Sequence, residues 1–247
     1  MAQNPGNSII RRLQLAVALD GLTVSVGPGV CYVPNTGRLI SDGTETVALS
    51  NPTVSTWYHA YGYQKANGDL GLEVVTTAPD TPYQGTARTK TGDASRRYLG
   101  SMYVGTDGKI RPFRHIVTGD VGNRILFDAT SIAGSAPNTL LSALTAATVQ
   151  TVSLNPIIPV TAKQAIIQVA NLSNRIAFIS RPGMPAPSAS NFQIMAGPNA
   201  CPIGDVMLTD TQQLTLILTS AGLLGNILGA VLSGNLMLYA LGYVYDR

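Results

Sequence analysis

The sequence predicts an all-β protein: an N-terminal β-meander followed by a C-terminal β-sandwich of jelly-roll type. Three observations predict it. Short runs of alternating apolar and polar residues fill the first half, each closed by Gly, Pro, Asn or Asp. Seven or eight further β-type runs follow over the last 120 or so residues, most with turn residues between them. Composition agrees, since 25 Gly and 15 Pro supply turns while 45 % of the 247 residues are hydrophobic.

In chain order, residues 1–10 are polar and read as an extended arm. Leu13, Leu15, Val17 and Leu19 alternate and predict the first strand. Thr23–Val26 ends at Gly27-Pro28-Gly29, and Val30–Val33 ends at Pro34-Asn35-Thr36-Gly37. Arg38–Ile40 leads to the Asp42-Gly43 turn and then to Thr46–Leu49. From Trp57 to Tyr63 one face carries Trp57, His59, Tyr61 and Tyr63, the other Tyr58, Ala60 and Gly62, so both faces are expected to be covered. Asn67-Gly68-Asp69 is a strong hairpin signal returning into Leu70–Thr76. Pro79, Pro82 and Gly85 interrupt the pattern, and a second hairpin is expected from Tyr98–Val104 and Lys109–Phe113 around Asp107-Gly108.

Residues 116–138 read as a junction, with Gly119-Asp120, Gly122-Asn123, Gly134 and Pro137-Asn138. Charge falls across it: residues 1–123 carry 20 charged side chains, residues 124–247 only nine. Domains are therefore expected at 1–120 and 125–247. Leu140–Ala147 reads as one short helix. Strands are expected at Thr148–Leu154, Ala165–Ala170, Ile176–Ser180, Phe192–Met195, Val206–Leu208, Leu214–Thr219 and Leu236–Tyr245. Thr211–Tyr245 contains no charged residue, but its Gly and Asn residues and lack of flanking bases favour buried strands and a Gly-rich loop over a membrane span. Arg11-Arg12 before Leu13–Leu19 is a poor export signal, because Asp20 follows at once and no small-residue cleavage site is evident.

Charged residues are 12 % of the chain, about half the usual share. A lone soluble domain ordinarily carries more, so burial of surface in an oligomer is expected. Net charge is +3, yet Arg88–Arg124 holds eight bases against three acids. Arg88, Lys90, Lys109, Arg111 and Arg114 are the candidate contacts to an anionic partner. Cys31 and Cys201 form no motif and read as buried thiols.

Chemistry-bearing patterns are sparse. There are two histidines, His59 and His115, and no GxSxG elbow. Thirteen acids are scattered singly, with no spacing that argues for a glycosidase pair. No catalytic residue, metal site or cofactor is assigned; in a homotrimer one histidine per subunit could meet on the threefold axis and bind a metal, against the expectation of packed, hydrogen-bonded histidines. Val104–Ile110 imitates part of a phosphate loop but has Ile110 after Lys109, and reads as a β-turn. Asn171-Leu172-Ser173 fits a glycosylation sequon.

Thr56-Trp57-Tyr58-His59-Ala60-Tyr61, Leu72–Pro79, Pro82–Asp93, Ser95–Ser101 and Asp107-Gly108-Lys109-Ile110 occur in one order. Together, over about 20–115, they resemble a module of tailed-bacteriophage virion proteins, namely fibre, tail-associated or head-fibre proteins. Gly234–Arg247 is similar to the last strand of a fibre-tip β-domain. The resemblance implies a non-enzymatic homotrimer in the virion, assembled in the host cytoplasm. Residues 1–120 would attach and trimerise, and residues 125–247 would form the distal domain. It also implies a subunit interface on the aromatic strand: Trp57, His59, Tyr61, Tyr63, Arg96, Arg97 and Tyr98. Partners implied are other copies of the chain, further virion proteins (a tail adaptor, nozzle or capsid) and a host surface glycan, with no specific nucleic acid and no membrane insertion. A short tail fibre or host-binding protein leads; a capsid head fibre or decoration protein is the alternative. A glycan-degrading enzyme or carbohydrate-binding module is the rival from another class.

Overall fold

The structure, a computed structural model, describes residues 10–118, 122–128, 139–144, 148–219 and 236–247. Every regular element among them is a β-strand, as the sequence predicts. The chain divides into two compact units, Met1–Ser131 with Tyr245–Arg247, and Ile132–Val244. The expected break near 120–125 instead falls within a strand pair of the first unit.

Unit 1 begins with β1 (Ile10–Arg12), β2 (Leu15–Val17), β3 (Thr23–Val26), β4 (Gly29–Val33), β5 (Gly37–Ser41) and β6 (Glu45–Ala48). These form two three-stranded antiparallel sheets, ordered β1-β4-β5 and β2-β3-β6. The strand expected over 13–19 shortens to β2, and β1 precedes it in residues read as the end of an arm and a basic pair. Arg12 (φ 61) and Leu13 (φ 46) are left-handed, and this reversal sends the chain from the β4 edge to the β3 edge. Glycine at position 29 makes the crossing possible, since a Cβ there would lie 2.4 Å from the Arg11 carbonyl and 2.6 Å from the Leu13 nitrogen. Leu19, the last residue of that alternating run, is fully exposed.

Next come β7 (Thr56–Gln64), β8 (Leu70–Val75), β9 (Thr89–Lys90) and β10 (Asp93–Val104), a four-stranded sheet ordered β8-β7-β10-β9. The predicted hairpin turn brings β7 back as β8, with Gly68 at φ +91. His59, Ala60, Tyr61 and Gly62 are all buried, so both faces of β7 are covered. One face packs into an apolar core that includes Leu13, Leu15, Val24, Val26, Cys31, Leu99 and Met102. Burying each Leu or Val side chain contributes about 1.5–3 kcal/mol before chain entropy is counted.

The second predicted hairpin is shorter than expected. The Gly105–Lys109 turn forms, but only Val104 and Ile110 bridge, and Pro112 has no N–H to extend the ladder. The chain then enters β11 (Phe113–Thr118), which pairs with β12 (Gly122–Phe127). Part of the expected junction is therefore this hairpin; Gly119, Asp120, Gly134, Pro137 and Asn138 lie outside the described residues.

Unit 2 contains β13 (Thr139–Leu144), β14 (Gln150–Ser153), β15 (Ala162–Asn171), β16 (Ile176–Ser180), β17 (Ile194–Ala196), β18 (Ile203–Met207) and β19 (Gln213–Thr219). β20 (Leu236–Tyr245) completes it, with only its last residue assigned to unit 1. One antiparallel sheet is ordered β14-β19-β16-β17; in the other, β15 lies between β20 and β18. The helix expected over 140–147 is β13 across its described part. Pairing with β20, Leu141 opposite Leu238 and Leu144 opposite Leu236, outweighs the helical preference of a Leu/Ala run. In β19, Leu214, Leu216 and Leu218 are buried at alternate positions. The intervening Gly-rich stretch, 220–235, lies outside the described residues. No helix among the described residues is long and apolar enough to cross a membrane.

Candidate functional site

Unit 1 concentrates the unusual side chains. The register of β7 and β10 sets Tyr61 opposite Tyr98 and His59 opposite Ser101. A hydrogen bond of 2.8 Å joins His59 Nδ1 to Ser101 Oγ, and one of 2.7 Å joins that oxygen to the Tyr98 hydroxyl. A serine beside a histidine is the start of a nucleophile–base pair. Here Ser101 is fully buried and shared with a tyrosine, so the arrangement is a packed polar chain that no substrate reaches. Burial pushes the His59 imidazole down to about 4 and the Tyr61 phenol upward.

A second polar chain meets the first through rings. Tyr98 and Tyr245 pack edge to face at 6.1 Å. Tyr245 donates to the Leu99 carbonyl at 2.8 Å, and its hydroxyl lies 3.3 Å from His115 Nε2. The backbone N–H of Leu15 donates to His115 Nδ1 at 2.9 Å, so the ring's proton sits on Nε2, where Asn123 Oδ1 accepts at 3.2 Å. Burial first, then the nearby Arg247 guanidinium, push this imidazole down to about 3. Arg247 is itself buried and donates to the carbonyls of Leu13 and Arg12, holding the left-handed corner between β1 and β2. Gly100 admits this packing, since a Cβ there would meet the Tyr245 hydroxyl at 2.6 Å.

Four of the seven residues expected at a subunit interface are instead buried within the chain. Tyr61, Tyr98 and Arg97 have no exposure and His59 has 4 %, all within one chain, because both faces of β7 and β10 are covered by unit 1 itself. Arg97 donates to the Arg88 carbonyl and lies over the Tyr83 ring. Trp57 and Tyr63 remain partly exposed; Trp57 packs on Tyr103 and Tyr63 lies under Arg96. Both histidines are held inside unit 1, which removes the three-histidine axial metal site. No cluster of three or more His, Cys, Asp or Glu able to hold a metal occurs among the described residues.

The basic band also disperses. Lys90 and Arg96 both pair with Glu73 at 2.9 Å, and Arg96 also approaches Asp93. Arg111 is buried between the rings of Tyr103 and Phe127. Arg88 is half-buried and donates to the Asp80 carbonyl. Only Lys109 and Arg114 of the five expected anion contacts stand exposed. Lys109 follows the predicted β-turn, in which Asp107 accepts its N–H.

The sequence reading missed Tyr245, Arg247, Asn123 and Gln14, which lie far in sequence from the groups they hold. It also missed a cleft of about 400 Å³ in unit 1. Leu15 and His115 form its floor, and Phe113, Leu126 and Phe127 line it. Gln14, Ala16, Arg114 and Asp128 stand exposed around it.

In unit 2 the sequon is a structural pin. Asn171 is fully buried; its amide nitrogen donates to the carbonyls of Arg175, Ala196 and Gly197, and its oxygen accepts from Ser173. Gln212 likewise donates to the Val160, Ala162 and Thr209 carbonyls. Cys31 is buried, and burial pushes its thiol up to about 11, whereas Cys201, expected to be buried, is exposed in the loop before Pro202.

These arrangements define a class: an all-β chain of two units whose histidines and most interior-facing bases are bound into its own structure. No family model, no curated protein and no solved structure matches the chain.

Proposed function

We propose that the chain is a non-enzymatic structural component of a tailed-phage virion, a short homotrimeric tail fibre or host-binding protein. Unit 1 serves attachment, and unit 2, read as a distal β-sandwich, carries host recognition in its loops. The family expectation rests on the ordered blocks over 20–115. The observation that carries self-association is the surface of unit 2. Within Ile132–Val244 only Lys163, Arg175, Arg181, Asp205 and Asp210 are charged, while Phe192, Met195, Ile203 and Met207 are each more than 40 % exposed. Ile203 and Met207 lie on the same side of β18, four residues apart in a strand with neighbour β15. Such a surface is what association covers. The copy-to-copy contact is accordingly placed here, away from the aromatic strand of unit 1.

Light scattering on the full chain tests this. The expected mass is three times 25.9 kDa, and Ile203→Glu with Met207→Glu reduces it to one. A monomer at micromolar concentration defeats the trimer. Virions lacking the protein then decide its position: intact heads with lost adsorption support a tail fibre, and fragile heads with normal adsorption support the head-fibre reading.

A further inference from the structure

One sheet of unit 2 ends at β14 and the other at β18, and the two edges are built alike. In the β15–β18 ladder, Leu208 N–H donates to the Lys163 carbonyl and Val169 N–H to that of Pro202. The alternate pairs between them, Val206 with Ala165 and Gly204 with Ile167, are therefore the hydrogen-bonded ones. The N–H and C=O of Ile203, Asp205 and Met207 turn away from β15. In the β14–β19 ladder, Leu154 N–H donates to the Gln212 carbonyl, which likewise turns those of Thr151 and Ser153 away from β19. Every one of these outward-turned residues has an exposed side chain. Ile203 is 60 % exposed, and Val149, just before β14, is 45 % exposed. Among the described residues, β14 and β18 each have a hydrogen-bonded strand on one side only. Neighbours from the opposite sheet leave these edges open. β17 lies on the inner face of β18, because a Cβ at Gly204, on the side of buried Val206, would stand 2.8 Å from Ile194 Cγ1. β13, which precedes β14, pairs instead with β20. Strand edges are ordinarily guarded by lysine, proline or a bulge. Residues 203–207 and 150–153 contain neither residue, and both registers run without a shift.

We propose that β18 of one copy pairs edge to edge, antiparallel, with β14 of the next copy of this chain. The inference rests on the trimer proposed above and supplies its main-chain bonding. Symmetry and charge select the pairing. Joining two different edges is a head-to-tail contact, the kind a threefold ring repeats, whereas β18 against β18 closes a dimer. Centred self-pairing of β18 would also set Asp205 against Asp205, and like charges directly opposite destabilise a ladder. β14, Gln150-Thr151-Val152-Ser153, has no charge. With Asp205 opposite Thr151, the acid meets a hydroxyl and Met207 meets Val149. Main-chain hydrogen bonds then hold the copies together, and the alternate side chains set the register.

Light scattering on the full chain and four variants tests the proposal. Asp205→Pro and Thr151→Pro each remove one outward N–H and leave the ladders within the chain intact. Asp205→Ala and Thr151→Ala keep that N–H and remove only the side chain. The parent and both alanine variants are expected at three times 25.9 kDa, and both proline variants at 25.9 kDa, at the same micromolar concentration. An unchanged far-ultraviolet circular dichroism spectrum shows that each variant is folded. A second measurement covers a proline variant that fails to fold. Asp205→Cys with Thr151→Cys, on a Cys201→Ser background, should give a covalent trimer on mild oxidation, and either cysteine alone should give none. A monomeric parent overturns this pairing and the trimer together. Proline variants that stay trimeric, or a double-cysteine chain that stays uncrosslinked, overturn the pairing alone and leave the trimer standing. Dissociation by alanine as complete as by proline assigns the contact to side chains, and dissociation by Asp205→Pro without Thr151→Pro puts another edge opposite β18; each equally overturns it.

Discussion

The two units solve one problem with different chemistry. Each is all-β and must satisfy polar groups inside a packed interior. Unit 1 uses ionisable side chains: His59, Tyr98, His115, Tyr245, Arg97 and Arg247 are all buried and hydrogen-bonded or ring-stacked. Unit 2 uses neutral amides: Asn171 and Gln212 each hold three backbone carbonyls. Outside, the pattern inverts, with Glu73, Lys90 and Arg96 paired on unit 1 and exposed apolar residues among few charges on unit 2. The lesson is that interior polarity and surface polarity are set separately, and that the two interiors should answer differently to pH.

Among single substitutions, the largest effect should come from removing an amide pin. Asn171→Ala leaves three carbonyls without their shared donor and is expected to cost about 2–4 kcal/mol in chemical denaturation. A loss under 1 kcal/mol would mean that water replaces the amide readily, and that the neutral strategy of unit 2 is not a constraint.

The pH response separates the units more sharply. In folded unit 1, His59 and His115 stay neutral down to about pH 4 and 3. In the unfolded chain both take up a proton near 6.5. The unfolded state therefore binds more protons between those values, and stability falls as pH drops through that window. At about 1.4 kcal/mol per pKa unit, the two shifts together amount to roughly 5–10 kcal/mol. Asp20 and Asp93, whose carboxyls are held low by hydrogen bonds, add their loss only below 3.8. Trp57, the one tryptophan, reports unit 1 by fluorescence. Its denaturation midpoint should fall steadily from pH 7 to 4, and a flat midpoint would contradict neutral buried histidines. Amide hydrogen exchange in β16 and β19 should change far less.

The smallest effect should be Glu73→Gln. Glu73, Lys90 and Arg96 are about a quarter or less exposed at the side chain, and water still screens them, so each exposed-type pair is worth about 0–1 kcal/mol. A total loss under about 1 kcal/mol is expected from thermal melts; a larger one would show that the surface charges of unit 1 hold its sheet together.

Much of the fold was readable from residue order because strands announce themselves locally. The Asn67-Gly68-Asp69 turn, the covered faces of β7 and the alternating leucines of β19 all follow from period and turn chemistry. What was not readable is non-local. The alternation of Leu13, Leu15 and Val17 continues through a left-handed corner that depends on Gly29 and on Arg247, more than 200 positions away. Leu140–Leu144 looks helical until β20 is beside it. The aromatic and basic side chains of 57–98 were visible as a cluster, but whether a dense cluster faces inward or outward is decided by Tyr245 and its neighbours, which no spacing within the cluster encodes.

The position of Tyr245 and Arg247 in unit 1 has a consequence for synthesis. The residues that close the corner at Arg12–Leu13 and cover Leu99 are made after the whole of unit 2. At about 5–20 residues per second, the ribosome takes roughly 6–23 s to pass from the end of the first stretch to those residues. During that interval the nascent first unit has its strands but lacks the tyrosine and guanidinium that finish its interior. Its native state is reached only after unit 2 has been made, so a pause or a bound chaperone at that stage would act on the part of the chain that was made before unit 2.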